Sequence, residues 1–238
     1  MRRLVLALQF LTCLPLPQVR ADESDFAASM RWFPAAGLAV GAVVAGAAWV
    51  GTLFDPWIAA LFALAAWVGI TGALHLDGLS DLADARGAAH GDRDKLLTVL
   101  ADPHVGSFGV TVIVLQLLAK AVLLHATVQV SLPALIFIPF AARIGPLAWS
   151  RWLPPLHAGL GARFASSVRR VDLAIWLFIL LGACWFVPAL LSAPLLICGW
   201  FWWLRRAVGG VSGDCHGAGI ELVETALLFT FLIAGKLP

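Results

Sequence analysis

The chain has 238 residues, 61% of them apolar and only 13% charged, with a mean hydropathy of +0.91. Soluble domains are about 45–50% apolar and about 25% charged, so 16 basic and 14 acidic side chains cannot clothe a water-soluble fold of this size. The same figures exclude intrinsic disorder, a nucleic-acid-binding tail and a secreted disulfide scaffold. What remains is an all-α, polytopic integral membrane helix bundle, read as one domain over 1–238. The net charge of +2 decides nothing, because in a membrane protein the placement of charge matters more than its sum. The four cysteines form no C-x-x-C pair, so no metal–thiolate site is implied.

The apolar run 4–16, behind Arg2 and Arg3, is followed by Pro15 and Pro17 and no A-x-A-like site. It reads as an uncleaved helix at the interface or packed on the bundle, not as a signal peptide. Seven stretches then approach the roughly 20 apolar residues that a span needs: 32–54, 56–74, 106–125, 132–149, 173–187, 188–204 and 220–237. Lys and Arg occur in 1–31, 75–105, 150–172 and 205–219, and are missing from the connections around Asp55, 126–131 and 187–193. Basic and non-basic connections alternate, which predicts a cytoplasmic N-terminus. Gly37, Gly41, Gly46 and Gly51 would let helices approach closely in the first span.

Six of the 14 acidic residues fall between Asp77 and Asp102. In the run from His75 to Arg86, Asp77, Asp81 and Asp84 lie within a sector of about 60° of one helix face, at about 100° per residue. Carboxylates stacked at i, i+4 and i+7 repel one another without a cation, and hard oxygen ligands without Cys select Mg²⁺ or Mn²⁺. The plain alternative is a solvated acidic face, but such a face alternates with Lys, and none appears before Lys95. Downstream, Asp102-Pro-His104-Val-Gly106-Ser-Phe-Gly109 precedes a span. Its glycines suit a helix-entry turn, and Asp102 is a further metal ligand or a general base.

A second constellation runs from Gly209 to Glu224 and contains Ser212, Gly213, Asp214, His216 and Gly217. A glycine-rich turn opening a helix presents backbone N–H groups and a positive dipole end, which suit a phosphate; no Gly-Lys-Ser/Thr follows, so it is not a P-loop. Glu221 and Glu224, one turn apart at the entry to a span, are costly there and point to function. A flexible loop with an acidic helix start is the plain alternative. The placement of both clusters on the cytoplasmic side favours a metal–diphosphate site. In the third basic loop, Arg163 either meets phosphate or sets topology, while Lys120 and Arg143, inside spans, either snorkel or act as buried counter-charges.

The chain resembles the cobalamin synthase family, the adenosylcobinamide-GDP ribazoletransferases, nearly end to end. The resemblance is carried by Ala7-Leu-Gln-Phe10-Leu-Thr-Cys-Leu-Pro15, Phe33-Pro-Ala-Ala-Gly37, Gly72-Ala-Leu-His75-Leu-Asp77-Gly78-Leu-Ser-Asp81-Leu-Ala-Asp84, Asp102 to Gly109, and Ser212-Gly213-Asp214 to Glu224. It implies an Mg²⁺-dependent enzyme of the bacterial inner membrane. The 3′-hydroxyl of α-ribazole, free or as the 5′-phosphate, attacks the cobinamide-side phosphorus of adenosylcobinamide-GDP, and GMP leaves.

On that implication Asp77, Asp81 and Asp84 hold one or two Mg²⁺ ions, Asp102 or Asp214 is the base or a ligand, and His75 fills either role. Arg86, His104, Gly106, Arg163, Ser212, Gly213, Gly217, Glu221 and Glu224 contact substrate. Membrane lipids and the two substrates are the expected partners and nucleic acid is not; a homo-oligomer, or association with other enzymes of cobamide assembly, is left open. The nearest rival, a CDP-alcohol phosphotransferase making phospholipids, wants an Ala-Arg pair after a D-x-x-D-G run, whereas here Asp84 leads directly to Ala85-Arg86. A cation transporter would carry acids at mid-membrane in several spans.

Overall fold

The computed structural model describes residues 1–157, 164 and 167–235, and every regular element among them is helical. In chain order these are α1 (Arg2–Leu11), α2 (Glu23–Ser29), a 3₁₀ turn (Met30–Trp32), α3 (Phe33–Thr52), α4 (Pro56–Thr71), α5 (Leu74–Ala89) and α6 (Arg93–Leu100). There follow α7 (Ser107–Val128), α8 (Leu132–Ala142), α9 (Gly145–Trp152), α10 (Arg170–Ala183), a second 3₁₀ turn (Pro188–Ser192), α11 (Ala193–Ala207) and α12 (Gly213–Ala234).

Local chemistry sets most of these boundaries. Asp55 caps α4 by accepting from the Trp57 N–H at 2.7 Å, with Pro56 in the first turn. Ser131 and Ser212 cap α8 and α12 in the same way. Two successive left-handed residues, Gly72 (φ 57°) and Ala73 (φ 58°), end α4 and open α5. Gly adopts that conformation freely; Ala73 pays about 1–2 kcal/mol for it. Their combined effect is an 83° bend, so that α5 runs nearly at right angles to α4 and does not continue its path.

Four helical stretches are long and apolar enough to cross a membrane: Glu23–Thr52, Ser107–Val128, Leu132–Trp152 and Gly213–Ala234, or five if the bent pair α4–α5 is one broken span. The expected stretches 173–187 and 188–204 correspond to α10, 14 residues, and α11, 15 residues behind a 3₁₀ turn. At 1.5 Å per residue each is about 21–23 Å long, short of a hydrocarbon core of about 30 Å. Length alone therefore gives fewer than seven spans. The last expected span also begins earlier than composition suggested, because the Ser212 cap starts the helix at Gly213 and not at Ile220.

Small residues hold the bundle together. A methyl group on Gly41 would run into the backbone of Ile136 in α8, and one on Gly51 into Ala59 of α4, so α3 packs backbone to backbone against both neighbours. The outer face is greasy: Leu61, Leu115, Leu118, Val122, Phe178, Leu181, Leu195 and Phe229 are all exposed, as a lipid-facing surface requires. The protein is a membrane protein with several apolar helices. Helix α1 lies against the bundle, burying Leu6, Ala7 and Leu11 beside Phe33, while Arg2 and Arg3 each pair with Asp25 of α2 at 3.1 Å.

Candidate active site

Helices α5 and α12 cross where each carries glycine. A methyl on Gly78 would sit 2.8 Å from the Cα of Asp214, and one on Gly217 would sit 3.2 Å from the Cα of His75. This contact brings the acidic motif of α5 to the first turns of α12. Beside the crossing is a cavity of about 200 Å³. One side is polar, with His75, Asp77, Asp214 and His216; the other is apolar, built on Phe10, Phe33 and Phe164. The three rings belong to an aromatic cluster that also fastens α1, with centroids 5.8–6.0 Å apart.

The carboxylates of α5 share a face but not an environment. Asp77 is exposed at the cavity, Asp81 is half-buried and Asp84 is buried. Burial, and then the charges of Asp77, Asp214 and Asp84, push the Asp81 carboxyl up to about 6. Four carboxylates thus lie within electrostatic reach of one another. Among the described residues, no three Asp, Glu, His or Cys side chains stand close enough together to hold a metal ion. The carboxylates still suit a hard cation, which takes oxygen ligands.

Asp84 does something the spacing did not suggest. Its Oδ2 accepts from the Gly106 N–H at 2.7 Å and its Oδ1 from the Gly109 N–H at 2.9 Å. It is the N-terminal cap of α7, supplied from another helix, because Gly106 at the cap position has no side chain of its own to offer. A methyl on either glycine would collide with Asp84, which explains the Gly-x-x-Gly spacing. The expected substrate contact at Gly106 is therefore a structural one, and both carboxylate oxygens of the expected metal ligand Asp84 are engaged.

Two more expectations change in the same way. Gly213 and Gly217 lie within α12, not in a turn before it. Both line the cavity, Gly213 in the first turn and Gly217 one turn on, where it also packs on His75. Ser212 accepts from the Cys215 N–H at 3.3 Å and donates to Asp214 Oδ2 at 3.1 Å; buried, it orients the acid and does not line the cavity.

Glu221 and Glu224, expected at the substrate, are buried about 12 Å or more along α12, at 3% and 0% exposure. Lys120 Nζ of α7 contacts Glu221 Oε2 at 2.8 Å and Glu224 Oε2 at 2.7 Å, and Arg143 Nη1 donates to Glu224 Oε1 at 2.8 Å. Gln116 Nε2 donates to Glu221 Oε2 at 2.9 Å, and the Lys120 ammonium stands 4.4 Å from the Trp67 ring centre. Of the two readings for Lys120 and Arg143, the buried counter-charge is the one observed.

Asp102 and His104 form an exposed pair, Nδ1 to Oδ1 2.6 Å, and neither lines the cavity. The hydrogen bond from His104 holds the Asp102 carboxyl below its ordinary range. Arg86 is spent elsewhere too, donating to the Ala207 carbonyl at 2.9 Å at the end of α11. Arg163 lies outside the described residues. Sequence reasoning gave no role to His216, whose Nε2 meets Ser150 Oγ at 3.0 Å, nor to Phe10, Phe33 and Phe164. Phe10, Phe33 and His216 stand inside the quoted motifs, which was the one available signal.

Comparison with known proteins identifies the family. Residues 3–232 match the cobalamin-5-phosphate synthase family. The chain is 61% identical over 240 residues to an adenosylcobinamide-GDP ribazoletransferase of Novosphingobium aromaticivorans, covering 99% of this chain and 98% of that one. It is 50% identical to the enzyme of the same name from Thiobacillus denitrificans, over 99% and 95% of the two chains. It is 35% identical to that of Brevibacillus brevis, over 95% and 96%. No solved structure matches. Family match and relatives agree along almost the whole length, and the chain belongs to the cobalamin-5-phosphate synthase family.

Proposed function

We infer that the chain is a transferase of cobalamin synthesis that joins adenosylcobinamide-GDP to ribazole and releases GMP. The observation that carries the reading is the cavity at the α5–α12 crossing, where Asp77 and Asp214 face an aromatic wall at the start of a 22-residue helix. Such a cavity offers an apolar seat for the planar base of a ribazole beside polar groups for a ribose hydroxyl. Backbone N–H groups in the first turn of α12 suit a phosphate.

In this reading Asp214 takes the proton from the attacking ribazole hydroxyl. The hydroxyl oxygen bonds to the cobinamide-side phosphorus, and the bond from that phosphorus to the bridging oxygen breaks, so GMP leaves with its electron pair. Asp77 and Asp81 would hold Mg²⁺, with Asp84 fixing the helix beside them. When bound, Mg²⁺ offsets charge on the diphosphate and the departing GMP. Phe10, Phe33 and Phe164 exclude water and orient the base. Asp102, His104 and Arg86, none of which lines the cavity, are left for the approach of the large corrinoid nucleotide.

The seven-span arrangement belongs to the same proposal. Helices α4, α10 and α11 join the four long stretches, α1 lies at the interface, and the N-terminus and the site face the cytoplasm of a bacterial inner membrane. The alternation of Lys/Arg-bearing and Lys/Arg-free connections supports it. The test uses purified protein in nanodiscs with adenosylcobinamide-GDP, α-ribazole and Mg²⁺, followed by chromatography. Equimolar GMP and cobamide, abolished by EDTA and restored by Mg²⁺, are expected. Absence of both products from folded protein would refute the reading.

A further inference from the structure

His75 is 2% exposed, lines the cavity, and presents two very different ring nitrogens. Nδ1 stands 3.4 Å from Arg143 Nη2. A guanidinium is always protonated and has no acceptor, so Nδ1 must offer its lone pair, and an N–H there would point at a cation. The neutral ring therefore carries its proton on Nε2. That atom is buried and has no hydrogen-bond partner among the described residues. An unmet buried donor on a residue that lines a cavity asks for an acceptor that a ligand brings.

Arg143 is itself held. Its Nη1 donates to Glu224 Oε1 at 2.8 Å and to the Pro139 carbonyl at 3.0 Å, and Glu224 is shared with Lys120. The cation facing His75 is thus anchored by a neutral cluster of two bases and two acids. His216 lines the same cavity with its Nδ1 unpartnered, but Ser150 Oγ can donate or accept, so nothing restricts its tautomer.

We propose that Arg143 locks His75 as the Nε2–H tautomer and that His75 donates from Nε2 to a phosphoryl oxygen of the bound diphosphate. His75 is then a hydrogen-bond donor in this site, not a base or a metal ligand, and Arg143 is a positioning residue acting through it. The choice of a phosphoryl oxygen rests on the transferase reading. It is supported by Gly213 and Asp214, which border the same cavity in the first turn of α12, where backbone N–H groups have no intrahelical acceptor.

Two experiments test this, the first independent of turnover. Histidine-¹⁵N-labelled protein in nanodiscs is examined by NMR, with His75→Gln used to assign the signal among six histidines. An imine-type Nδ1 and a pyrrole-type Nε2 are expected, the latter shifting when pyrophosphate and Mg²⁺ are added. An Nδ1–H tautomer, an imidazolium at neutral pH, or an Nε2 signal unmoved by pyrophosphate would overturn the proposal. The charge-balanced pair Arg143→Gln with Glu224→Gln should populate both tautomers; an unchanged spectrum would remove Arg143 from the assignment.

The second is kinetic. Gln places an amide N–H where Nε2 stands, Asn where Nδ1 stands. His75→Gln should stay within about tenfold of the wild-type kcat, while His75→Asn and His75→Ala should lose about 10²–10³-fold, the usual cost of one donor to a reacting oxygen. Equal loss in all three, or full activity in His75→Ala, would refute the donor role. Failure of the wild-type enzyme to turn over would refute the transferase reading and leave the tautomer result standing.

Discussion

Lys120 offers the sharpest test of the packing. Its ammonium has three donors and three neighbours: Glu221 at 2.8 Å, Glu224 at 2.7 Å and the Trp67 ring at 4.4 Å. With Arg143 on the other oxygen of Glu224, two positive and two negative charges sum to zero inside the bundle. At 2.7 Å and an effective dielectric of about 20, one such contact amounts to about 6 kcal/mol of Coulomb attraction. Desolvation at several kcal/mol per ion consumes much of that, so the intact cluster contributes little net stability. Removing Lys120 is different, because Glu221 keeps its desolvation cost and loses its cation, while Glu224 keeps only Arg143. Lys120→Met should therefore destabilise by about 3–5 kcal/mol. Lys120→Met with Glu221→Gln, which restores neutrality as Arg143 with Glu224, should recover about 2–3 kcal/mol of it. The assay is reversible unfolding in mixed micelles with SDS as denaturant, for the two single variants and the double. A loss under about 1 kcal/mol for Lys120→Met, or strictly additive losses, would show the cluster to be hydrated and the argument wrong.

Asp84→Asn should lower stability by about 0.5–2 kcal/mol, the range for a lost helix cap, whereas Asp77→Asn should abolish turnover with an unchanged unfolding midpoint. A stable but inactive Asp84→Asn would make Asp84 a metal ligand after all. Gly78→Ala should cost about 1–3 kcal/mol and much of the activity, since its methyl lands 2.8 Å from the Asp214 backbone; Gly46→Ala, with open space around it, should be neutral or stabilising. A tolerated Gly78→Ala would disprove the tight crossing. Burial pushes the Asp172 carboxyl up, but hydrogen bonds from Arg169 and the charge of Arg31 more than offset it and leave the group below its ordinary value. Its stabilising effect is thus complete above the unfolded value of about 3.9 and lost as the pH falls through the lower folded value; Asp172→Asn should flatten that part of an acid-unfolding curve, and an unaltered curve would refute the assignment.

How much of this was legible depended on distance along the chain. The helical class, the four long apolar stretches and the shared face of Asp77, Asp81 and Asp84 are local properties, carried by composition and a 3.6-residue period. The caps at Asp55, Ser131 and Ser212 are local as well, yet sequence reasoning gave none of them that role. The role of Asp84 was not, because its partners Gly106 and Gly109 are 22 and 25 residues away. Ala73 in a left-handed conformation has no sequence signal, yet it makes the bend that turns α5 away from α4. Glu221 and Glu224 were placed at the membrane surface because the apolar window opens at Ile220. The Ser212 cap starts the helix two turns earlier and carries both acids inward, to Lys120 on α7 and Arg143 at the end of α8, which no short-range rule connects to them.

That inward displacement bears on the chemistry. A diphosphate site lined only by carboxylates would be held by its cation alone, and its geometry would follow the cation. Here α5 and α12, which carry the acids, are locked to each other by glycine contact at Gly78 and Gly217 and backed by the cluster of Lys120, Glu221, Glu224 and Arg143. The cluster reaches the cavity wall through one contact, Arg143 to His75. Deep charges that look wasteful as stabilisation make sense as a rigid backing for the one polar group at the cavity whose proton position they decide. Neutralising Arg143 together with Glu224 should therefore alter catalysis through His75 even though neither residue touches the cavity.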